Sequence, residues 1–125
     1  MPDNLTTAIT KYYDAVPYDS HPFPQSAAEH LEALAYLFGL EAAPPAGASV
    51  LELGCAAGGN LIPFAARHPG GSALGVDVSP VQVAQGAAAI GHAGLGNVEL
   101  RAFDINDIDA SFGKFDYIIC HGVYS

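Results

Sequence analysis

The stretch Val50-Leu51-Glu52-Leu53-Gly54-Cys55-Ala56-Ala57-Gly58-Gly59-Asn60 decides the fold of this 125-residue chain. Four mostly apolar residues run straight into a glycine cluster. A short apolar run bounded by glycine suits a strand buried in a parallel sheet. Gly54 can bend the chain sharply out of that strand, and Gly58 and Gly59 let the backbone come close to a ligand. Residues Leu61 to Arg67 then predict a helix, with Pro63 tolerated because it falls in the first turn. By itself such a turn says little about a ligand, since a tight strand-to-helix turn needs the same glycines.

Downstream the pattern repeats. Ala73-Leu74-Gly75-Val76-Asp77-Val78 reads as a second strand. Ser79-Pro80-Val81-Gln82 is a capping box with proline at the first helical position, opening a helix to about His92 that Gly91, Gly94 and Gly96 terminate. Asn97 to Phe103 is a third strand, followed by Asp104, and Phe115 to Cys120 a fourth. Strands alternating with helices at this spacing predict an α/β, Rossmann-like, doubly wound and mostly parallel sheet. Crossovers should be right-handed, and ligands should bind outside the carboxyl ends of the strands. Such sheets usually carry further strands beyond the switch point. A last strand that ends five residues before Ser125 therefore predicts a sheet truncated after its fourth strand.

Upstream, residues 1–25 read as irregular and aromatic, with Tyr12, Tyr13, Tyr18 and Phe23 and with prolines at 17, 22 and 24. Ser26-Ala27-Ala28-Glu29 has the form of a capping box. Leu31, Leu34, Ala35 and Phe38 follow at helical spacing, Gly39 supplies a stop, and Pro44-Pro45 with Gly47 form a linker. The chain thus divides into residues 1–45, an N-terminal segment with a helix, and residues 46–125, a nucleotide-binding half-sheet.

Composition narrows the function. Half the residues are hydrophobic and 14% are charged, which suits one globular domain. Four basic residues against thirteen acidic ones give a formal charge of −9. Nucleic acid and anionic membrane surfaces are not expected as main partners, because both need clusters of Lys and Arg. Two cysteines make neither a disulfide framework nor a tetrahedral metal set. With no signal-peptide pattern and no apolar run near the roughly 18 residues of a membrane span, a cytoplasmic protein is expected.

The acids supply the functional clue. Asp77 stands 23 residues beyond Gly54, near the roughly 20-residue offset at which a carboxylate accepts the ribose hydroxyls of a nucleotide. Asp104 follows the third strand and Glu52 lies in the first. Three consecutive strands therefore place Glu52, Asp77 and Asp104 along one edge of the sheet. An edge lined with negative charge repels a pyrophosphate and suits an adenosine ligand that carries a cationic group.

The order Glu52-x-Gly54-x-Ala56-x-Gly58, then Gly75-Val76-Asp77, an acid after strand three, and Phe115-Asp116-Tyr117-Ile118-Ile119 resembles a class I S-adenosylmethionine-dependent methyltransferase. The commoner first motif has glycine where Ala56 stands, and alanine is the smallest change possible there. Tyr13 to Ser20, Phe23-Pro24 and His121 to Ser125 further resemble a bacterial subgroup in which a methyltransferase regulatory domain follows. The resemblance implies that Gly54, Ala56 and Gly58 pass close to the methionine part of the cofactor, and that Glu52 orients that loop or reaches the amino group through water. It implies that Asp77 holds the ribose hydroxyls, Val78 packs on adenine, Asp104 accepts from the adenine amino group and Ile105 covers the other ring face. Cys120 and His121 would lie beside the methionine and the substrate entrance. The aromatic residues of segment 1–45, Tyr13 and Tyr18 among them, would form a cofactor lid, since aromatic faces attract a sulfonium. The acceptor would be a small molecule or a protein side chain.

Methyl transfer asks mainly for alignment, and a general base is needed only for a protonated acceptor. His121 is the best-placed candidate, although a loop hydrogen bond is the simpler role. The other histidines lack metal-ligand spacing, no metal is expected, and Cys55 has no paired base. Two alternatives stay open. An NAD-dependent oxidoreductase would use Gly54-x-Ala56-x-x-Gly59, one substitution from the dinucleotide fingerprint, with Asp77 on the ribose. A cofactor-binding fragment without turnover would self-associate through an uncovered sheet edge.

Overall fold

The computed structural model describes residues 4–17, 19–121 and 123. Strands β1 (Ser49–Leu53), β2 (Ser72–Asp77), β3 (Val98–Ala102) and β4 (Tyr117–Cys120) form one sheet in the order β3-β2-β1-β4. Every neighbouring pair is parallel, with Leu51 opposite Leu74 on one side and Ile118 on the other. The chain steps outward from β1 to β3, then returns to the far side of β1. The switch point therefore lies between β1 and β4, where an open α/β sheet offers a crevice at its carboxyl edge.

Strand β1 is central, which is why it reads as an apolar run: Val50, Leu51 and even Glu52 are buried. Helix α3 (Leu61–Arg67) packs on β2, and α4 (Pro80–Ala93) packs on β3 and β2. Leu61, Phe64 and Ala65 of α3 join Val50, Ala73, Val98, Tyr117 and Ile119 in the core. Helix α4 lies directly against the glycine loop. A Cβ added at Gly86 would meet the Ala57 carbonyl oxygen at 2.6 Å and also strike Leu100.

The N-terminal end departs from expectation. Residues 4–15 are not irregular but form a helix, α1 (Asn4–Ala15). The prolines that suggested an irregular segment stand at 17, 22 and 24, beyond this helix, and Thr6, Ile9 and Tyr13 recur at helical spacing on one face. Helix α2 (Ala28–Leu37) is present, but Ser26 does not cap it. Ser26 lies in the 3-10 turn Pro24–Ser26, the N-cap is Ala27, and Glu29 turns away to α3. There Glu29 meets Arg67 Nε at 3.1 Å and His68 Nε2 at 2.6 Å. Partial burial would raise the Glu29 pKa, but hydrogen bonds from His68, its own backbone and Arg67 bring it down to about 2. Charge-assisted contacts of this kind outweigh a neutral capping bond.

The second capping box is half formed. Ser79 Oγ accepts from Gln82 N at 3.2 Å, as expected. Ser79 N, however, donates to Asp77 Oδ1 at 2.9 Å, so Gln82 has no backbone N–H to reach back to. Residues 97, 103, 115 and 116 fall outside the strands, and β2 runs from Ser72 to Asp77 rather than from 73 to 78. Asp116 sits at the opposite edge of the sheet, its Oδ2 accepting from Ser49 N at 2.8 Å. The expected linker at 44–47 contains a 3-10 turn, Pro45–Gly47, with Pro45 buried.

Candidate functional site

A cleft of about 660 Å³ opens at the carboxyl edge of the sheet. Glu52, Gly54, Cys55 and Ala56 line it from the end of β1, Asp77 and Val78 from β2, and Asp104 and Ile105 from the turn after β3. His121 lines it beyond β4, and Thr6, Ile9 and Tyr13 close it from α1. No lysine or arginine is among these residues, so the acidic edge predicted from strand order exists as one surface.

The loop geometry explains the motif. Gly54 has φ +72° and takes the chain out of β1, its N–H donating to the Val76 carbonyl at 2.8 Å. Ala56, where glycine is commoner in the motif, has φ +50°, a left-handed conformation that costs an alanine about 1–2 kcal/mol. Asp77 holds it there: Oδ2 accepts from Ala56 N at 2.9 Å while Oδ1 accepts from Ser79 N. Each carboxylate oxygen keeps a second lone pair for an O–H donor.

Among the described residues, two buried acceptors in this cleft have no partner. Glu52 Oε1 accepts from Asn60 Nδ2 at 3.0 Å, but Oε2 accepts from nothing, and neither does Gln82 Oε1. Burial, opposed by the Asn60 bond and helped by the charge of Asp77, pushes Glu52 up to about 7. Burial, with the charges of Asp77 and Glu52, also drives the Cys55 thiol well above its usual range, which removes it as a nucleophile. Unpartnered acceptors beside carboxylates call for a ligand rich in N–H or O–H donors.

The N-terminal segment crosses the top of this cleft. Thr6 Oγ1 donates to Asp104 Oδ2 at 3.1 Å, and Ser79 Oγ donates to Asp14 Oδ1 at 2.6 Å. Farther along, Gly59 N donates to Ser20 Oγ at 2.8 Å and Phe23 N donates to Asn60 Oδ1 at 2.7 Å. The Phe23 ring packs on the His121 ring with centroids 4.1 Å apart.

Most of the predicted site residues therefore meet in one place: Glu52, Gly54, Ala56, Asp77, Val78, Asp104, Ile105, Tyr13 and His121. Gly58 is buried beneath Ile62 and Leu100, and Cys120 is exposed at the end of β4, so neither lines the cleft. Tyr18 lies outside the described residues, and Tyr12 is exposed and does not line the cleft. His21, read from sequence as a surface or packing residue, lines the cleft, and so do Gln82 and Asn60. The Gln82 signal was present in the capping box but carried a different meaning. Among the described residues no His, Cys, Asp and Glu cluster could hold a metal, and no helix is long and apolar enough to cross a membrane.

A parallel sheet with a carboxylate at the end of each of its first three strands defines an adenosine-type cofactor domain of Rossmann-like class. Residues 51–125 match the family model described as a methyltransferase domain, and the chain belongs to that family. The Rickettsia prowazekii protein RP789 is 50% identical over 120 residues, 96% of this chain and 22% of that protein. Nocamycin O-methyltransferase of Saccharothrix syringae is 37% identical over 76 residues, 60% of this chain and 27% of that enzyme. The structure of PKMT2 from Rickettsia typhi in complex with AdoHcy superposes with a TM-score of 0.84 at 45% identity, over 87% of this chain and 21% of that one. The chain thus spans about a fifth to a quarter of the length of these relatives.

Proposed function

We propose that this chain is the cofactor-binding part of a cytoplasmic S-adenosylmethionine-dependent methyltransferase acting on a small-molecule or protein acceptor. The observation that carries this reading is the cleft itself, where Glu52, Asp77 and Asp104 converge and no lysine or arginine is among the lining residues. Free Cys55 and Cys120 accord with a reducing compartment.

The residues present fit such a cofactor. The orphaned oxygens of Glu52 and Gln82 and the spare lone pairs of Asp77 all ask for donors, which ribose hydroxyls, an amino group and an ammonium supply. Asp77 would take the ribose hydroxyls, held in place by its bonds to Ala56 N and Ser79 N. Val78 and Ile105 would flank the adenine, and Asp104 would accept from its amino group beside Thr6. Gly54 and Ala56 would follow the methionine portion, with Glu52 beneath. Bound S-adenosylmethionine supplies an electrophilic methyl group on a sulfonium. The chain's own work is to align an acceptor with it, exclude water and, for a protonated acceptor, take a proton at His121. Segment 1–45 serves as the lid, Tyr13 facing the cleft from α1.

Binding of S-adenosylhomocysteine, measured by calorimetry with NADH in parallel, tests the reading. Binding of NADH alone would select a dinucleotide site instead. The outer edge of β4, unpaired among the described residues, and exposed Tyr36, Leu37 and Phe38 support self-association. A concentration-dependent mass in sedimentation would bear that out, and a constant monomer mass would contradict it.

A further inference from the structure

Asn60 sits at the N-cap of α3 but makes no side-chain capping bond. Asparagine is favoured at that position because its oxygen ordinarily serves the helix's own free N–H groups. Here the amide is used in two other directions. Its Nδ2 donates inward to Glu52 Oε1 at 3.0 Å, and its Oδ1 accepts outward from Phe23 N at 2.7 Å. One planar side chain thereby joins the buried carboxylate of β1 to the segment that crosses the cleft.

Neighbouring contacts hold the same segment. Gly59 N donates to Ser20 Oγ, and a Cβ at Gly59 would meet His21 N at 2.7 Å and His21 C at 2.8 Å. The close backbone approach that Gly59 permits is thus taken by the chain itself. Phe23 continues onto His121 at the end of β4. Ser20 to Phe23 therefore bridges the ends of β1 and β4, across the switch point.

We propose that Asn60 is a positioning residue that latches the strap Ser20–Phe23 over the cofactor cleft, with Glu52 as its anchor. The proposal deepens the methyltransferase reading and rests on it for the identity of the ligand. The latch has a donor-acceptor polarity. Glu52 must accept, Asn60 must donate to it, and the Asn60 oxygen must face the strap. Reversing the inner pair preserves both bonds: in E52Q/N60D the amide at 52 would donate outward and the carboxylate at 60 would accept both from it and from Phe23 N. N60D alone removes the inner donor and, once Glu52 is ionised, sets two carboxylates against each other, whereas Asn60→Ala removes both bonds.

Amide hydrogen exchange on the ligand-free chain, followed by NMR, reads the latch directly. Loss of one hydrogen bond predicts roughly five- to tenfold faster exchange of the Phe23 amide in Asn60→Ala, and faster exchange in N60D at a pH where Glu52 is ionised and repels the new carboxylate. Protection should return in E52Q/N60D, a rescue that a merely structural asparagine would not show. Gly59→Ala, which displaces the strap at His21 without touching Glu52, should accelerate the same amide. Protection of Val50 and Val76 in β1 and β2 reports that each variant is folded. Unchanged Phe23 exchange in Asn60→Ala, or no recovery in the swapped pair, would overturn the latch. S-adenosylhomocysteine titration of the unaltered chain separately decides the ligand reading: absence of binding there overturns that reading, while the exchange data still decide the latch.

Discussion

Glu52 and Ala56, four residues apart, carry opposite kinds of cost. Glu52 binds its proton up to about pH 7 when folded, against an ordinary value of 4.5. Between those values the folded state holds more protons than the unfolded one, so stability falls as pH rises through this window. The shift corresponds to about 3 kcal/mol at most. Urea unfolding should show the chain less stable at pH 8 than at pH 5.5, and Glu52→Gln should flatten that dependence. A slope unchanged in the variant would assign it to other groups. Ala56 holds φ +50°, so Ala56→Gly should relieve about 1 kcal/mol of backbone strain, partly offset by the freer unfolded chain. The urea midpoint should rise or stay level, and a marked fall would show that Asp77 needs the alanine. The sequence motif marked this position as unusual, but its left-handed backbone depends on the Asp77 bond, which spacing alone does not reveal.

At the scale of elements, α4 is fixed at both ends of its job. Gly86 lets it lie on the glycine loop, and Ser79 caps it while donating to Asp14 of α1. Gly86→Ala should cost about 1–3 kcal/mol, since a methyl there meets the Ala57 backbone rather than a flexible side chain. Ser79→Ala should cost about 1 kcal/mol through the lost cap and should also speed amide exchange along α1. Thermal unfolding checks the first effect, and exchange distinguishes the second from a simple loss of stability. Strands β1 to β4 and helices α3 and α4 were legible because apolar runs, glycine stops and Ser79-Pro80 are local signals. Helix α1 was not, because its stabilising contacts are remote: Thr6 reaches Asp104, 98 residues away. The prolines after it dominated the local reading. Ser26 misled for a related reason, since Glu29 is recruited by Arg67 and His68 from another helix.

For the molecule as a whole, the carboxyl edge of the sheet collects acids that are far apart in sequence, and α1 with residues 20–23 lies over them. The three acids could be placed beforehand because strand order forces strand ends together. A lid was expected only from the family resemblance, and its fastening was not legible, because Asn60, Ser20 and His21 carry no pattern that distinguishes a strap contact from a surface loop. Cys120 and Gly58 show the complementary limit: proximity in the chain to a strand end or glycine loop does not decide which way a residue faces. The central claim is that this acidic edge binds the adenosyl cofactor. The most direct test is an amide NMR titration with S-adenosylhomocysteine, with NADH in parallel. Shifts concentrated at Gly54–Gly59, Asp77–Val78 and Asp104–Ile105 are predicted, with none from NADH. A folded spectrum that S-adenosylhomocysteine leaves unmoved would contradict the account.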